Sequence, residues 1–177
     1  MILYHQNNLL VKRAFENDAV LVSEIASSTF YETFIKYNTE EDLHLYIQKA
    51  YSVSLLLEQL KLIDDFLFLL VFIDEQCIGF AKVCLKSSHH LLEGKVMELE
   101  KIYFKQRFHG KGYAEILLNI CLDIITKENC ENLFLGVWQE NHRAVKFYQK
   151  HGFTTIDTRT FQLGSRVCHD YIMNKTL

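Results

Sequence analysis

Two glycines in front of a long apolar segment have the spacing of an anion-binding turn. They belong to an Arg-x-x-Gly-x-Gly pattern that runs from Arg107 to Gly112. Backbone N–H groups in such a turn, with the free donors and positive dipole of a helix N-terminus behind it, can bind a pyrophosphate. Glycine suits the turn because it adopts unusual backbone dihedrals and has no Cβ to obstruct the ligand. Arg107 and Lys111 can add charge-assisted hydrogen bonds, so the pattern predicts a phosphate site.

The pattern differs from two other phosphate-binding motifs. No Gly-Lys-Ser/Thr sequence follows it, which excludes a P-loop, and Glu115 occupies the place of the third glycine of a dinucleotide fingerprint. Glycine-rich helix starts also occur as plain loops. A functional interpretation of this turn therefore depends on a second motif.

The second motif, Asn-x-x-Ala-x-x-Phe-Tyr-x-Lys-x-Gly-Phe, extends from Asn141 to Phe153. Asparagine is a preferred helix N-cap, and helical spacing places Tyr148 on one face with Ala144 and His151. A tyrosine at this position is either a core aromatic residue or a proton donor. Spacing alone does not distinguish these two roles.

Two carboxylates precede the glycine turn. Glu98 and Glu100 are two residues apart on a predicted strand, so their side chains share a face. Either carboxylate could take a proton from an ammonium group if partial burial raises its pKa, and the alternative is that both are solvated. The histidines His89, His90 and His109 have no metal-site spacing with cysteine or carboxylate, so no metal is expected.

The elements that must position these residues alternate between strands and helices. Apolar periodicity predicts helices at Asp18 to Tyr37, Thr39 to Ala50, Ser52 to Leu62, Gly112 to Lys127 and Asn141 to His151. Strands are predicted at Leu9 to Phe15, Phe66 to Ile73, Cys77 to Leu85, Val96 to Phe104, Leu133 to Trp138, Phe153 to Gln162 and Val167 to Asn174. This order indicates one α/β domain over residues 1–177, with a mixed sheet covered on both faces.

Composition excludes several classes of protein. A net charge of −3 provides no basic field for nucleic acid, and a 49% hydrophobic content argues against disorder. The longest fully apolar stretch, Phe66 to Ile73, is too short to span a membrane. Five cysteines without a C-x-x-C pair favour free thiols in a reducing compartment. The N-terminal residues have no secretion signal, so a cytoplasmic protein without nucleic-acid or membrane partners is expected.

Together, the two motifs resemble the core of the GNAT acetyltransferases, in the order and at the separation typical of that family. The resemblance covers nearly the whole chain and is weakest over the first sixty residues. It implies the GNAT fold, in which about seven strands form a mixed, mostly antiparallel sheet with helices on both faces. Within the family, Leu135 to Trp138, Phe161 to Gly164, Asp170 and Met173 look most like bacterial spermine/spermidine acetyltransferases.

The resemblance also implies residue roles in binding acetyl-coenzyme A (acetyl-CoA). Main-chain groups that contact the pantetheine arm fall at Ile102, Tyr103 and Phe104. The residues that would bind the pyrophosphate are Arg107, Phe108, His109, Gly110, Lys111, Gly112, Tyr113 and Ala114. Asn141 would contact the cosubstrate, Tyr148 would protonate the departing thiolate, and Glu98 or Glu100 would deprotonate the attacking amine in a ternary complex.

The expected acceptor is a small amine, with a polyamine such as spermidine or spermine favoured. The N-terminal helices, which the resemblance places beside the acceptor site, carry Glu32, Glu40, Glu41 and Asp42, which could attract a polycation. Two alternatives stay open: an acetyltransferase for protein N-termini or lysines, and a GNAT-fold sensor that binds acyl-CoA without transferring the acyl group. A homodimer is an open alternative to a monomer.

Overall fold

An eight-stranded sheet organises the computed structural model, which describes residues 1–164 and 166–177. The strands are β1 (Ile2–Gln6), β2 (Leu9–Arg13), β3 (Phe66–Ile73), β4 (Gln76–Ser87), β5 (Val96–Phe104), β6 (Asn132–Trp138), β7 (Thr154–Leu163) and β8 (Arg166–Thr176). Their order across the sheet is β1-β2-β3-β4-β5-β6-β8-β7. Only β5 and β6 are parallel among the described strand pairs, which confirms the predicted α/β class with a mixed, mostly antiparallel sheet.

The sheet has one strand more than the predicted seven. The additional strand, β1, pairs with β2 through a tight turn in which Asn7 has a φ of 55°. Because β1 lies at the sheet edge, its side chains are exposed or half-buried and do not alternate between core and solvent. A strand of this kind lacks the period-two hydrophobic signal on which sequence reasoning depends.

Five helices cover the sheet: α1 (Ala19–Phe34), α2 (Glu40–Ala50), α3 (Val53–Lys61), α4 (Tyr113–Lys127) and α5 (His142–Lys150). The predicted start of α2 is confirmed, because Thr39 Oγ1 accepts a hydrogen bond from the Asp42 N–H at 3.1 Å. None of the helices in the described ranges has the length and apolarity needed to cross a membrane.

Helices lie on both faces of the sheet because its central strands bury both sets of side chains. On β3, Leu67 and Leu69 face the cluster that contains α4, whereas Phe68 and Leu70 face the cluster that contains α1, α2 and α3. The buried side of α4 includes Leu117. These two clusters hold the first turn of α4 and the end of α1 in fixed positions on opposite faces of the sheet.

The parallel strands β5 and β6 pair over only three residues. The paired residues are Val96 to Glu98 on β5 and Asn132 to Phe134 on β6. Farther along, β5 continues beside β4 and β6 continues beside β8, so the two strands diverge. Their separation leaves a gap in the sheet directly before the glycine turn.

A bulge in β5 accompanies this divergence. Lys82 pairs with Lys101 and Val83 pairs with Leu99, so Glu100 is an extra residue relative to β4. Bulges of this kind bend a strand and often lie next to functional sites.

Candidate active site

A cleft of about 860 Å³ lies where β5 and β6 diverge. The end of β5, the starts of α4 and α5, and the C-terminal end of α1 all contribute to it. Its lining residues are Thr33, Lys36, Tyr37, Ile102, Tyr103, Phe104, Gln106, Phe108, His109, Gly110, Gly112, Tyr113, Ala114, Glu115, Asn141, Arg143, Ala144, Phe147 and Tyr148. The cleft therefore brings together two motifs that are about thirty residues apart in sequence.

The glycine turn has the backbone geometry that its sequence predicts. Gly110 and Gly112 have φ values of 77° and 82°, in the left-handed region that other residues adopt at a cost. A Cβ atom added to either residue would meet no atom of the described chain within 4 Å, apart from the residue's immediate neighbours. Internal packing therefore does not require the two glycines, and the open space beside the backbone is available to a ligand.

Five consecutive backbone amides, from Gly110 to Ala114, have no acceptor within the described parts of the chain. The next two amides, those of Glu115 and Ile116, already donate to the Gly112 carbonyl at 3.1 and 3.2 Å. Free donors at the positive end of a 15-residue helix form an anion-binding site. This arrangement fits the pyrophosphate of a coenzyme A derivative.

Cationic side chains surround the same turn. The guanidinium of Arg107 and the ammonium of Lys111 lie 5.0 and 5.3 Å from the centre of the Phe108 ring. They stack beside the cleft and are not among its lining residues. Arg143 and Lys36, which sequence reasoning did not select, do line it. Arg143 lies within the second motif but at a position that the motif leaves unspecified, and no local pattern identifies Lys36.

Tyr148 is a buried residue of α5 with its side chain at the cleft. Within the described chain its hydroxyl has no hydrogen-bond partner, and its ring packs edge-on against Phe153 at 5.6 Å. Burial raises the pKa of the Tyr148 hydroxyl, and the nearby Cys121 raises it further. The group therefore stays protonated near neutral pH and is free to donate to a ligand.

The side chains of Asn141 and His109, two residues that line the cleft, each form a hydrogen bond with the backbone. Asn141 Oδ1 accepts a hydrogen bond from the Ala144 N–H at 3.2 Å, so the predicted N-cap role is confirmed. His109 Nε2 lies 2.8 Å from the carbonyl oxygen of Phe104, and burial lowers the pKa of the His109 ring. A neutral His109 that donates to this carbonyl ties the glycine turn to the end of β5.

The two candidate bases lie outside the lining of the cleft. Glu98 contacts Arg159 Nη1 at 3.4 Å, and burial raises its pKa while Arg159 opposes the rise. Glu100 forms an ion pair of 2.5 Å with the buried Lys82. Both carboxylates therefore have cationic partners, contrary to the alternative in which they are simply solvated.

Arg159 links Glu98 to a third carboxylate, Asp170, at 3.5 Å. Its guanidinium lies against Gly136 on β6, where an added Cβ would come within 2.2 Å of Arg159 Nη2. Burial raises the pKa of Tyr46 on α2, while the charge of Arg159 opposes the rise and that of Asp170 adds to it. No local pattern in the sequence predicted that Arg159 would join these groups.

The N-terminal helix α1 is fastened to the glycine-turn segment by Glu32. Its carboxylate accepts a hydrogen bond from the Gln106 backbone N–H at 2.7 Å, and its carbonyl accepts one from Gln106 Nε2 at 2.6 Å. Glu32 therefore positions the wall of the cleft and is not available as a free carboxylate for a cationic acceptor.

Sequence comparison identifies related proteins for most of the chain. The sequence model of the acetyltransferase (GNAT) family matches residues 22–153. An uncharacterised N-acetyltransferase encoded in the pepI 3′ region of Lactobacillus delbrueckii is 26% identical over 163 residues, which cover 92% of this chain and 94% of the relative. An uncharacterised N-acetyltransferase of Mycobacterium tuberculosis is 40% identical over 81 residues, which cover 46% of this chain and 52% of the relative.

Solved structures share the fold. The PaiA N-acetyltransferase from Thermoplasma acidophilum, in complex with coenzyme A, has a TM-score of 0.80 and 26% identity over 97% of this chain and all of that chain. YncA of Salmonella typhimurium, described as a putative acetyltransferase with its cofactor acetyl-CoA, has a TM-score of 0.73 over 96% of this chain and 94% of its own. At 16% identity, the second likeness concerns the fold alone.

Proposed function

Because the chain belongs to the GNAT acetyltransferase family and is an acetyl-CoA-dependent N-acetyltransferase, we propose that it acetylates a primary amine of a polyamine such as spermidine or spermine. The reaction would proceed by direct attack of the amine within a ternary complex. The observation that carries the proposed mode of acetyl-CoA binding is the row of free amides from Gly110 to Ala114 at the mouth of the cleft.

The first step of the proposed mechanism is binding of acetyl-CoA along the unpaired edge of β5. Past Glu98 no described residue pairs with this strand on the side of β6, so main-chain groups between Ile102 and Phe104 can hydrogen-bond the pantetheine arm. The free amides of the glycine turn would bind the pyrophosphate, with Arg143 and Lys36 supplying positive charge. When bound, acetyl-CoA supplies the reactive thioester.

Tyr148 would act as the general acid. Its protonated hydroxyl lies at the cleft without a partner in the described chain, so it can donate to the sulfur as negative charge develops there. The unpaired N–H groups of β5 could stabilise the oxyanion in the same step.

Glu98 is the better candidate for the general base. The raised pKa that burial gives Glu98 brings it closer to the working pH, whereas Glu100 is committed to Lys82. Glu98 would take the proton of the attacking ammonium directly or through water. Its contact with Arg159 at 3.4 Å would hold the carboxylate in place.

Glu98→Gln is expected to lower kcat/KM at neutral pH by at least about tenfold and to flatten the acidic limb of its pH profile. In the wild type, kcat/KM should fall as pH decreases through the raised pKa of Glu98, because the protonated carboxyl cannot accept a proton. The measurement is a pH series with acetyl-CoA held constant. Glu100→Gln is the comparison, since it removes the neighbouring carboxylate. If the acidic limb of the pH profile is unchanged in Glu98→Gln and lost in Glu100→Gln, Glu100 is the general base.

Carboxylates near the cleft support a polycationic acceptor. Tyr37 lines the cleft, and the exposed carboxylates of Glu40 and Glu41 follow within four residues at the start of α2. A fully extended chain of three residues spans only about 11 Å, so Glu40 lies within that distance of Tyr37. A polyamine with one amine at the thioester could place a second ammonium close to these groups.

The apparent KM for spermidine is expected to rise with ionic strength, while that for acetyl-CoA changes less, because exposed charge pairs are screened by salt. Glu40→Gln should raise the spermidine KM by roughly two- to fivefold, as expected for one exposed ion pair. Steady-state kinetics at several salt concentrations test this. Glu24→Gln provides a matched control, since it removes an exposed carboxylate from the preceding helix.

An amine panel distinguishes the proposed function from its alternatives. Acetylation of a peptide N-terminus or lysine, with none of spermidine or spermine, would favour the protein-acetylating alternative. Tight acetyl-CoA binding without release of free coenzyme A for any amine would favour the sensor. The polyamine proposal requires that spermidine or spermine give the highest kcat/KM in the panel.

A further inference from the structure

We propose that His89, His90 and Asp157 form a binding site for a divalent transition metal ion, with Zn²⁺ as the best fit. His89 and His90 lie in the loop between β4 and β5, whereas Asp157 lies on β7. None of the three is among the residues that line the acetyl-CoA cleft.

The three side chains bring one ligand atom each into the same small region. Nε2 of His89 and Nε2 of His90 each lie 3.6 Å from Oδ2 of Asp157, and one ligand atom from each residue lies within 4.8 Å of the others. Ligand atoms bound to one tetrahedral Zn²⁺ at its usual bond lengths lie about 3.3 Å apart. The two contacts with Asp157 would shorten by a few tenths of an ångström, and the imidazole rings, which stack at 4.6 Å, would rotate to bring both Nε2 atoms onto the ion.

The arrangement of neighbouring groups suits a metal. The other carboxylate oxygen of Asp157 accepts a hydrogen bond from the Thr158 N–H at 2.8 Å, which orients the carboxylate. The His89 ring is mostly buried against the Phe134 ring at 5.4 Å, whereas His90 is 72% exposed and leaves an entry path. Binding at Nε2 places the proton of His89 on Nδ1, and the long 3.4 Å contact from the Leu91 N–H is given up.

The donor set determines the class of ion. Two imidazole nitrogens and one carboxylate oxygen match zinc, cobalt and nickel, whereas Ca²⁺ and Mg²⁺ require mostly oxygen ligands. Three protein ligands leave the fourth position of a tetrahedral site for water. Sequence spacing could not reveal this site, because Asp157 is 67 positions after His90 and reaches it only through the sheet.

The proposed ion would hold the β4–β5 loop over a small apolar cluster. In this loop Leu92 packs on the cluster formed by Val96, Phe134 and Ile172. The far end of the loop is anchored by a hydrogen bond from the Lys95 N–H to Glu131 at 3.0 Å. At the near end, the contacts of the two histidines with Asp157 connect the loop to β7, and a metal would strengthen this connection.

The test uses the full chain, free of any affinity tag and treated with a chelator. We expect it to bind one equivalent of Zn²⁺ by calorimetry and, at a hundredfold excess over Kd, to gain about 5–10 °C in Tm. His90→Gln and Asp157→Asn should each weaken Zn²⁺ binding by at least about tenfold. Asp157→Asn retains an oxygen for the Thr158 N–H, and His90 is exposed, so both variants should fold.

Matched controls separate this site from adventitious binding. His5→Gln and His44→Gln remove other exposed histidines and should leave Zn²⁺ affinity unchanged. Bound Co²⁺ should lack a thiolate charge-transfer band, which excludes Cys84, the one cysteine among the five that is not buried. Binding of less than one equivalent, or wild-type affinity in both His90→Gln and Asp157→Asn, would overturn the proposal.

Discussion

Tyr148→Phe is expected to lower kcat by about a hundredfold while the affinity for acetyl-CoA changes little. The substitution keeps the ring, which packs against Phe147 and Phe153, and removes only the hydroxyl. General-acid catalysis contributes about 10²- to 10⁴-fold in rate, and the hydroxyl matters chiefly when charge develops on the sulfur. Steady-state kinetics combined with direct measurement of acetyl-CoA binding separate the two effects.

A tyrosine of the sheet, Tyr171, provides a matched control for Tyr148→Phe. Tyr171→Phe makes the same chemical change at a partly buried tyrosine of β8, which packs against the same core. It should retain wild-type kcat. Full activity of Tyr148→Phe would make this tyrosine a packing residue, and the proton would then have to come from water or from another group.

Gly112→Val is expected to weaken acetyl-CoA binding by at least about tenfold. A β-branched residue is strained at a φ of 82°, and its side chain would occupy the open space beside the free amides. The strain would move the amide donors away from the pyrophosphate position, and the side chain would block the ligand. Calorimetric titration with acetyl-CoA measures the change directly.

Gly152→Val separates general backbone strain from loss of the site. Gly152 has a φ of 84° in the turn before β7, and an added Cβ there meets only the flexible end of Lys175. Both valine variants should lower Tm, whereas only Gly112→Val should weaken acetyl-CoA binding. If the wild type, Gly112→Val and Gly152→Val bind acetyl-CoA with equal affinity, the glycine turn is not part of the binding site.

The order of the elements could be predicted because most of them carry local signals. The strand β3 was predicted within its observed bounds, Phe66–Ile73, since a continuous apolar run between turn residues is characteristic of a buried strand. The start of α2 was predicted because Thr39 caps the amide of Asp42. The edge strand β1 was missed, since pairing on a single side with exposed side chains leaves no periodic pattern.

The residues of the proposed site were likewise predictable only where they carry local signals. Gly110 and Gly112 and the cap residue Asn141 act through their own backbone neighbours, so a short motif is enough to identify them. Lys36 and Arg159 act through contacts with segments far away in the chain. Glu98 and Arg159 are 61 residues apart, and local spacing contains no information about such a pair.

The sequence by itself determined the acetyltransferase family, the glycine turn before α4 and the two-faced α/β sheet. Each of these depends on short-range chemistry: glycine dihedrals, helix capping and the alternation of buried side chains. Only the tertiary structure decided that β5 and β6 separate after Glu98 and that Glu32 fastens α1 to Gln106. It also decided that Asp157 meets His89 and His90. These outcomes depend on strand register and on contacts between distant segments, which the packing of the whole chain selects.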